Sequence, residues 1–169
     1  MTTYPSDLTP SQWELIKEYF DWQRKRDYEL NLILNAIFYV LKTGCQWRQL
    51  PHKEVVPWKT VYDYFWRWKQ KGLIEKVAKE LREQYRESVG RKASPSAGVI
   101  DSQSVRGSRV GKERGIDGGK KVKGRKRHIL TDTLGLVIVV YVHAANIHDS
   151  KAARTLLEKV KEKLPRLEI

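Results

Sequence analysis

Asp101 is the residue in this chain best placed to do chemistry. It follows Val99-Ile100 and precedes Ser102-Gln103-Ser104, as a buried strand would deliver a carboxylate to its open end. A carboxylate of that kind, next to a cation-rich segment, suits a hard divalent cation held by oxygen. Such a cation polarises a phosphodiester and activates an attacking hydroxyl, best as two ions about 4 Å apart sharing a carboxylate. The same residue also occurs in turns and caps, so a metal site needs further acids. Asp132 and Asp149 are the candidates. Asp132-Thr133-Leu134-Gly135 reads as hairpin-turn chemistry, and Asp149 before Ser150-Lys151-Ala152-Ala153 reads as a helix N-cap. His143 and His148 could ligate a metal, but their spacing does not compel it.

The charge surrounds Asp101. The chain of 169 residues carries a formal net charge of +13, which favours a polyanionic partner, with nucleic acid first. Between Arg91 and His128 there are twelve Lys or Arg and three Asp or Glu. Within Arg106–Lys126 glycine recurs and large apolar side chains are nearly absent, which predicts a mobile segment whose backbone can approach phosphates. No Gly-Lys-Ser or Gly-Lys-Thr ends it, so a nucleotide cofactor does not fit and a sugar-phosphate backbone does.

The elements that must position Asp101 follow from the flanking pattern. Arg127–Thr131 and Leu136–His143 are apolar runs joined at Leu134-Gly135, a predicted hairpin. Val137, Ile138, Val139, Val140 and Val142 favour strand over helix. A helix follows from Ser150. Strand, basic loop, hairpin and helix open a mixed sheet.

The first half is helical. Thr9 caps and Pro10 suits the first turn of a helix with Trp13, Ile16 and Phe20 on one side. A second helix over Tyr28–Lys42 presents Leu30, Ile33, Leu34, Ile37, Phe38 and Leu41, and Gly44 ends it. A third, Trp58–Lys71, packs Val61, Tyr64, Phe65 and Trp68. Its other side carries Lys59, Thr60, Asp63, Arg67 and Lys71 and could enter a DNA groove. A fourth, Leu73–Glu87, has an apolar stripe of Leu73, Val77, Leu81 and Tyr85, with Glu75, Lys76, Lys79, Glu80, Arg82 and Glu83 outside. Gly90–Gly98, with Ser94-Pro95-Ser96, is the expected linker. A single cysteine, Cys45, excludes a disulfide framework within one chain. With no signal-peptide pattern at the start and no apolar run of the roughly 18 residues that span a bilayer, a cytoplasmic protein is expected.

These residues resemble the front part of a bacterial insertion-sequence transposase of the DDE type, from the related IS-four and IS-five groups. The resemblance is carried by Thr9-Pro10-Ser11-Gln12-Trp13, by Gly44-Cys45-Gln46-Trp47-Arg48-Gln49-Leu50-Pro51 with Thr60-Val61-Tyr62 and Trp68, and by Ile100-Asp101-Ser102-Gln103-Ser104. It continues through Gly118-Gly119-Lys120-Lys121-Val122-Lys123-Gly124-Arg125-Lys126-Arg127-His128 and Asp132-Thr133-Leu134-Gly135-Leu136. It implies an α+β chain. A helical, helix-turn-helix-like DNA-binding domain over 1–89 and a linker over 90–98 come first. A truncated RNase H-like domain over 99–169 follows, with three strands and one helix. It also implies cleavage and joining of double-stranded DNA at transposon ends with Mg²⁺, or Mn²⁺. Asp101 matches the first of three acidic metal ligands. Lys59, Thr60, Arg67, Lys120, Lys121, Lys123, Arg125, Lys126 and Arg127 are the expected DNA contacts.

The sequence departs from that pattern downstream. The family's second ligand belongs to an Asp-x-Gly-Tyr motif, which does not occur, and its third is a later glutamate. Asn146 and Asp149 match a family landmark that is not the second ligand. A frameshifting element, a decayed copy or a shortened chain would each give this sequence. The expectation is a chain that binds DNA, does not cut it alone, and self-associates through an unpaired strand edge. The alternative is a DNA-binding regulator without catalysis, or a remnant.

Overall fold

The computed structural model describes residues 4–20, 27–51, 56–107, 113–161, 164 and 166. It is α+β, with five α-helices and a four-stranded sheet among those residues. Its contacts divide it into two compact units, 1–80 and 81–169. The division falls inside the fourth helix, upstream of the Gly90–Gly98 segment expected to separate two domains.

The first unit is helical. α1 (Pro10–Ile16) starts with a complete capping box: Gln12 N–H donates to Thr9 Oγ1 at 3.2 Å, and Thr9 N–H to Gln12 Oε1 at 2.9 Å. A 3₁₀ turn, Lys17–Tyr19, continues it. α2 (Leu30–Thr43) is the core helix, burying Leu30, Ile33, Leu34, Ala36, Ile37 and Val40. Leu41, expected on that face, is exposed, because the buried stripe drifts through Ala36 and Val40. Gly44 closes α2 at φ +69°, where only glycine is free of the Cβ penalty. α3 (Trp58–Gln70) buries Val61. Phe20 packs on Trp68 with ring centroids 4.7 Å apart, and Trp47 meets Phe65 at 5.2 Å.

α4 (Leu73–Ser88) changes character along its length. Val77 is buried as expected. The last two turns instead turn Arg82 and Arg86 inward and leave Tyr85 exposed. Those arginines have partners: Arg82 donates to the Val137 carbonyl at 2.9 Å, and Arg86 to the Lys92 carbonyl at 2.8 Å and to Asp132. The expected outer position of Arg82 is thereby overturned by acceptors that belong to distant sequence.

In the second unit β3 (Val122–Asp132) is the central strand. β1 (Gly98–Arg106) runs antiparallel along it, pairing Gly98 with Asp132 and Arg106 with Gly124. β2 (Gly115–Asp117) takes Val122–Gly124, and β4 (Val137–Ala144) takes Arg125–Thr131. The sheet has four strands rather than three, and every described pairing is antiparallel rather than mixed. The basic glycine-rich segment, expected to be mobile, supplies the end of β1, all of β2 and the start of β3; its residues 108–112 lie outside the described ones. Glycine serves close packing here. A Cβ on Gly115 would lie 2.6 Å from the Asn146 backbone nitrogen, and one on Gly124 would lie 2.0 Å from the Val105 carbonyl oxygen.

α5 (Asp149–Lys161) covers one face of the sheet. Leu130, Leu156, Val160 and Leu164 form the core, with Ile100, Val139 and Tyr141 against it. The other face is open: Val99 is 59 % exposed, and Val140 and Val142 are about half exposed. Alternation along β1 puts Ile100, Ser102 and Ser104 on the covered face and Val99, Asp101 and Gln103 on the open one.

Candidate functional site

Asp101 lies in mid-β1, opposite Ile129, with its carboxylate on the open face. Its Oδ1 accepts from the Ser102 N–H at 2.8 Å. The same face carries Gln103, paired with Arg127, and Arg125, paired with Val105. Arg127 Nε donates to Gln103 Oε1 at 2.9 Å, and its Nη2 donates to the same oxygen. Lys123, Arg125 and Arg127 are exposed alternate residues of β3, so their stems are about 6.8 Å apart in one row. Lys120 and Lys121 lie in the turn before β3, and Lys120 Nζ donates to the Ser102 carbonyl at 3.4 Å. The structure therefore places three of the expected DNA contacts on the same face of the sheet as Asp101, with Arg127 the nearest in register and Lys123 the farthest.

Lys126 takes the other direction. It is one position out of step with that row, and it is 5 % exposed. Its ammonium lies 2.8 Å from Asp149 Oδ1 and 3.3 Å from Asp117 Oδ2, and it donates to the Ile147 carbonyl at 3.3 Å. Of the cations expected to meet DNA, this one is already held by two carboxylates. The hydrogen bond to Asp149 raises the Lys126 pKa above its ordinary value, against the opposing effect of burial. The same hydrogen bond holds the Asp149 carboxyl below the usual range. The Ser104 hydroxyl, donating to Asp117 Oδ2 at 2.5 Å, does the same for Asp117, helped by the Lys120 N–H. Ser102 Oγ reaches Asp149 Oδ2 at 3.4 Å.

The two further acids proposed from sequence do not join Asp101. Asp149 is the first residue of α5 and turns its carboxylate to Lys126 rather than capping its own helix. His148 supplies the capping contacts: its carbonyl accepts from the Ala152 N–H at 3.2 Å, and its Nδ1 from the Ser150 N–H at 3.3 Å. Asp132 is a buried turn residue, its Oδ1 accepting from the Leu134 and Leu136 N–H groups at 2.9 Å each. Among the described residues no group of three or more His, Cys, Asp or Glu is arranged to hold a metal ion. Asp101 offers one oxygen ligand to a hydrated divalent ion, which does not amount to a two-metal site.

Asp117 and His128 escaped the sequence reading, and His143 enters it only as a possible metal ligand. His128 and His143 stack at 5.0 Å with 20° between ring planes, both buried, and neither Nε2 makes a hydrogen bond. His143 Nδ1 lies 2.8 Å from the Ala144 carbonyl, which makes that nitrogen the donor. The signal available was position: residues 126, 128, 141 and 143 alternate on paired strands, but nothing local said which face would be covered.

Burial holds the His128 pKa below its ordinary value, and His143, Lys126 and Lys120 push the same way, while Asp149 opposes them at 3.7 Å. The unfolded chain therefore binds the proton more readily. His128 contributes its full share of stability above the unfolded pKa of about 6.5, and that share is lost as pH falls through and below it. Urea titrations from about pH 7.5 to 5 should show falling stability, with a shallower fall in His128→Phe. Equal slopes in the two proteins would refute the assignment.

On α3, Lys59 and Arg67 are exposed and Thr60 is half-buried. Arg67 folds back along its own helix, with its guanidinium 4.4 Å from the Tyr64 ring centroid and Nε donating to the Asp63 carbonyl at 3.2 Å. No described helix is long and apolar enough to cross a membrane.

Two family profiles match the chain. One, described as a transposase of the IS4/5 family, covers residues 8–78, and the other, described as a transposase DDE domain, covers 92–167. No curated protein and no solved structure matches. The helical first unit and the strand bearing Asp101 fall in the corresponding matches, and the chain belongs to the IS4/5 family of DDE transposases.

Proposed function

We propose that this chain binds double-stranded DNA at the ends of an insertion sequence, and that Asp101 is the first metal-binding carboxylate of a Mg²⁺-dependent, RNase H-like transposase centre. The observation that carries the reading is the row Lys123, Arg125 and Arg127 on the sheet face that holds Asp101. A strand of alternating cations offers evenly spaced partners to a phosphate backbone, and would bring a phosphodiester past the carboxylate. The first unit supplies a helix-turn-helix-like reading head, with Lys59, Thr60 and Arg67 toward DNA, and Lys120 and Lys121 extend the basic surface.

A second reading has its own support. Among the described residues no three His, Cys, Asp or Glu gather into a metal site with Asp101, so the chain by itself would occupy DNA without cutting it and act as a regulator of a complete enzyme. Among the described residues β1 is an edge strand, which would allow two copies to pair.

Binding to duplex DNA should weaken steeply with salt, and Arg127→Ala should lower the slope of log K against log salt by about 1. Titrations from low to moderate salt read both quantities. Salt-independent binding, or none at low salt, would defeat the DNA reading. Nicking of end DNA by this chain, abolished in Asp101→Ala, would defeat the regulator reading.

A further inference from the structure

We infer that the solvent face of α3 takes an unstacked DNA base on Trp66. The inference rests on the DNA-binding reading above and names the form of DNA that this helix receives. α3 turns Val61 and the rings of Tyr64, Phe65 and Trp68 toward the first unit. The opposite stripe, at three- and four-residue steps, is Lys59, Tyr62, Trp66 and Gln70, all exposed. Trp66 is in the middle of that stripe and is 47 % exposed. Tyr62, one turn earlier, stands edge-on to Trp47 at 5.4 Å. The Lys69 ammonium lies 5.9 Å from the centroid of the Trp66 ring.

An indole at the centre of an exposed helix face leaves apolar area in water, and a surface lysine or glutamate there would be less costly. Its chemistry selects the ligand. Tryptophan has one N–H donor and no acceptor, so it cannot make the bidentate edge contacts that read a duplex groove. What it offers is a broad π face, which stacks on any base. Bases inside a duplex have both faces covered by their neighbours. An overhang, a frayed end or a bubble exposes one. Lys69 lies over one face of the ring and leaves the other for a base, and Lys59, two turns earlier on the same stripe, adds charge that tracks the adjoining phosphates, while Asp63 and Arg67 lie on the other side of the stripe.

Two probes test this: a duplex with a short single-stranded overhang containing 2-aminopurine, and the same duplex blunt and fully paired. The whole chain should quench 2-aminopurine emission on the overhang. Trp66→Ala should bind the overhang probe about ten-fold or more weakly, as loss of one stacked base requires, with blunt-duplex affinity held within about two-fold. Trp66→Phe should recover most of the loss. Unchanged blunt-duplex binding shows that the variant is folded. An overhang affinity unaffected by Trp66→Ala, or an equal loss on both probes, overturns the inference and leaves the DNA-binding reading intact. Failure of the wild-type chain to bind either probe overturns both.

Discussion

Arg86→Ala is expected to lower the stability of the second unit by about 3 to 5 kcal/mol, the range for a buried ion pair that loses one partner. Arg86 Nη1 lies 2.5 Å from Asp132 Oδ2, with the two side chains 6 % and 0 % exposed. The other oxygen of Asp132 is already committed to the Leu134 and Leu136 N–H groups, which shape the turn between β3 and β4. Alanine at 86 leaves a buried carboxylate oxygen with no donor, and frees the Lys92 carbonyl that Arg86 also satisfies. At roughly 2 to 4 °C per kcal/mol for a chain of this size, the melting temperature should fall by about 6 to 20 °C.

The pH dependence supplies a second signature. Burial alone would raise the Asp132 carboxyl, but the Leu136 N–H, Arg86 and the Leu134 N–H together outweigh it and hold the carboxyl below the usual range. A depressed pKa gives stability that is present above the unfolded value of about 3.9 and lost as pH falls through the folded one. Wild type and Arg86→Ala should therefore converge toward acid pH. A loss below about 1 kcal/mol at neutral pH would place the pair among the weakly contributing ones and refute its assignment as a buried bridge.

Lys126→Met tests the covered face in the same way, and tests the DNA reading as well. Methionine keeps the length of the stem but removes the charge that Asp117 and Asp149 share. Two carboxylates would then face each other at the junction of β2, β3 and α5. Because Asp149 is half exposed and water can reach it, the expected loss is about 2 to 3 kcal/mol, below that of a fully enclosed pair. With their cation gone, both carboxyls should titrate higher than in the wild type, so the deficit should be largest near neutral pH and shrink toward pH 4. The salt slope of DNA binding should not change, since this ammonium faces inward. A slope reduced by about 1, as proposed for Arg127→Ala, would mean that Lys126 reaches phosphate after all.

Much of the scaffold could be read along the chain because it depends on neighbours in sequence. The capping box at Thr9, the close of α2 at Gly44 and the Asp132–Gly135 turn are each made by residues within a few positions of one another, so composition and order suffice. The four helices of the first half and the strand run after Leu136 follow their apolar periods for the same reason. The basic segment defeated that approach. Its low apolar content suggested mobility, whereas Gly115 and Gly124 allow backbones to come too close for any Cβ, and pairing across the sheet draws residues of its described parts into strands.

The sequence by itself determined that Asp101 stands on a strand, that cations crowd around it and that the first half is helical, because alternation, charge and helical period are local properties. Only the tertiary structure decided the faces. Lys126 and Arg127 are adjacent and chemically similar. One is buried between two carboxylates and the other lies on the open face, because successive strand residues point opposite ways and α5 covers only one side. The inward turn of Arg82 and Arg86, the stacking of His128 on His143 and the separation of Asp101 from Asp117, Asp132 and Asp149 have the same cause. Each depends on which distant acceptor or ring the packed sheet brings near, and that information resides in no stretch of neighbouring residues.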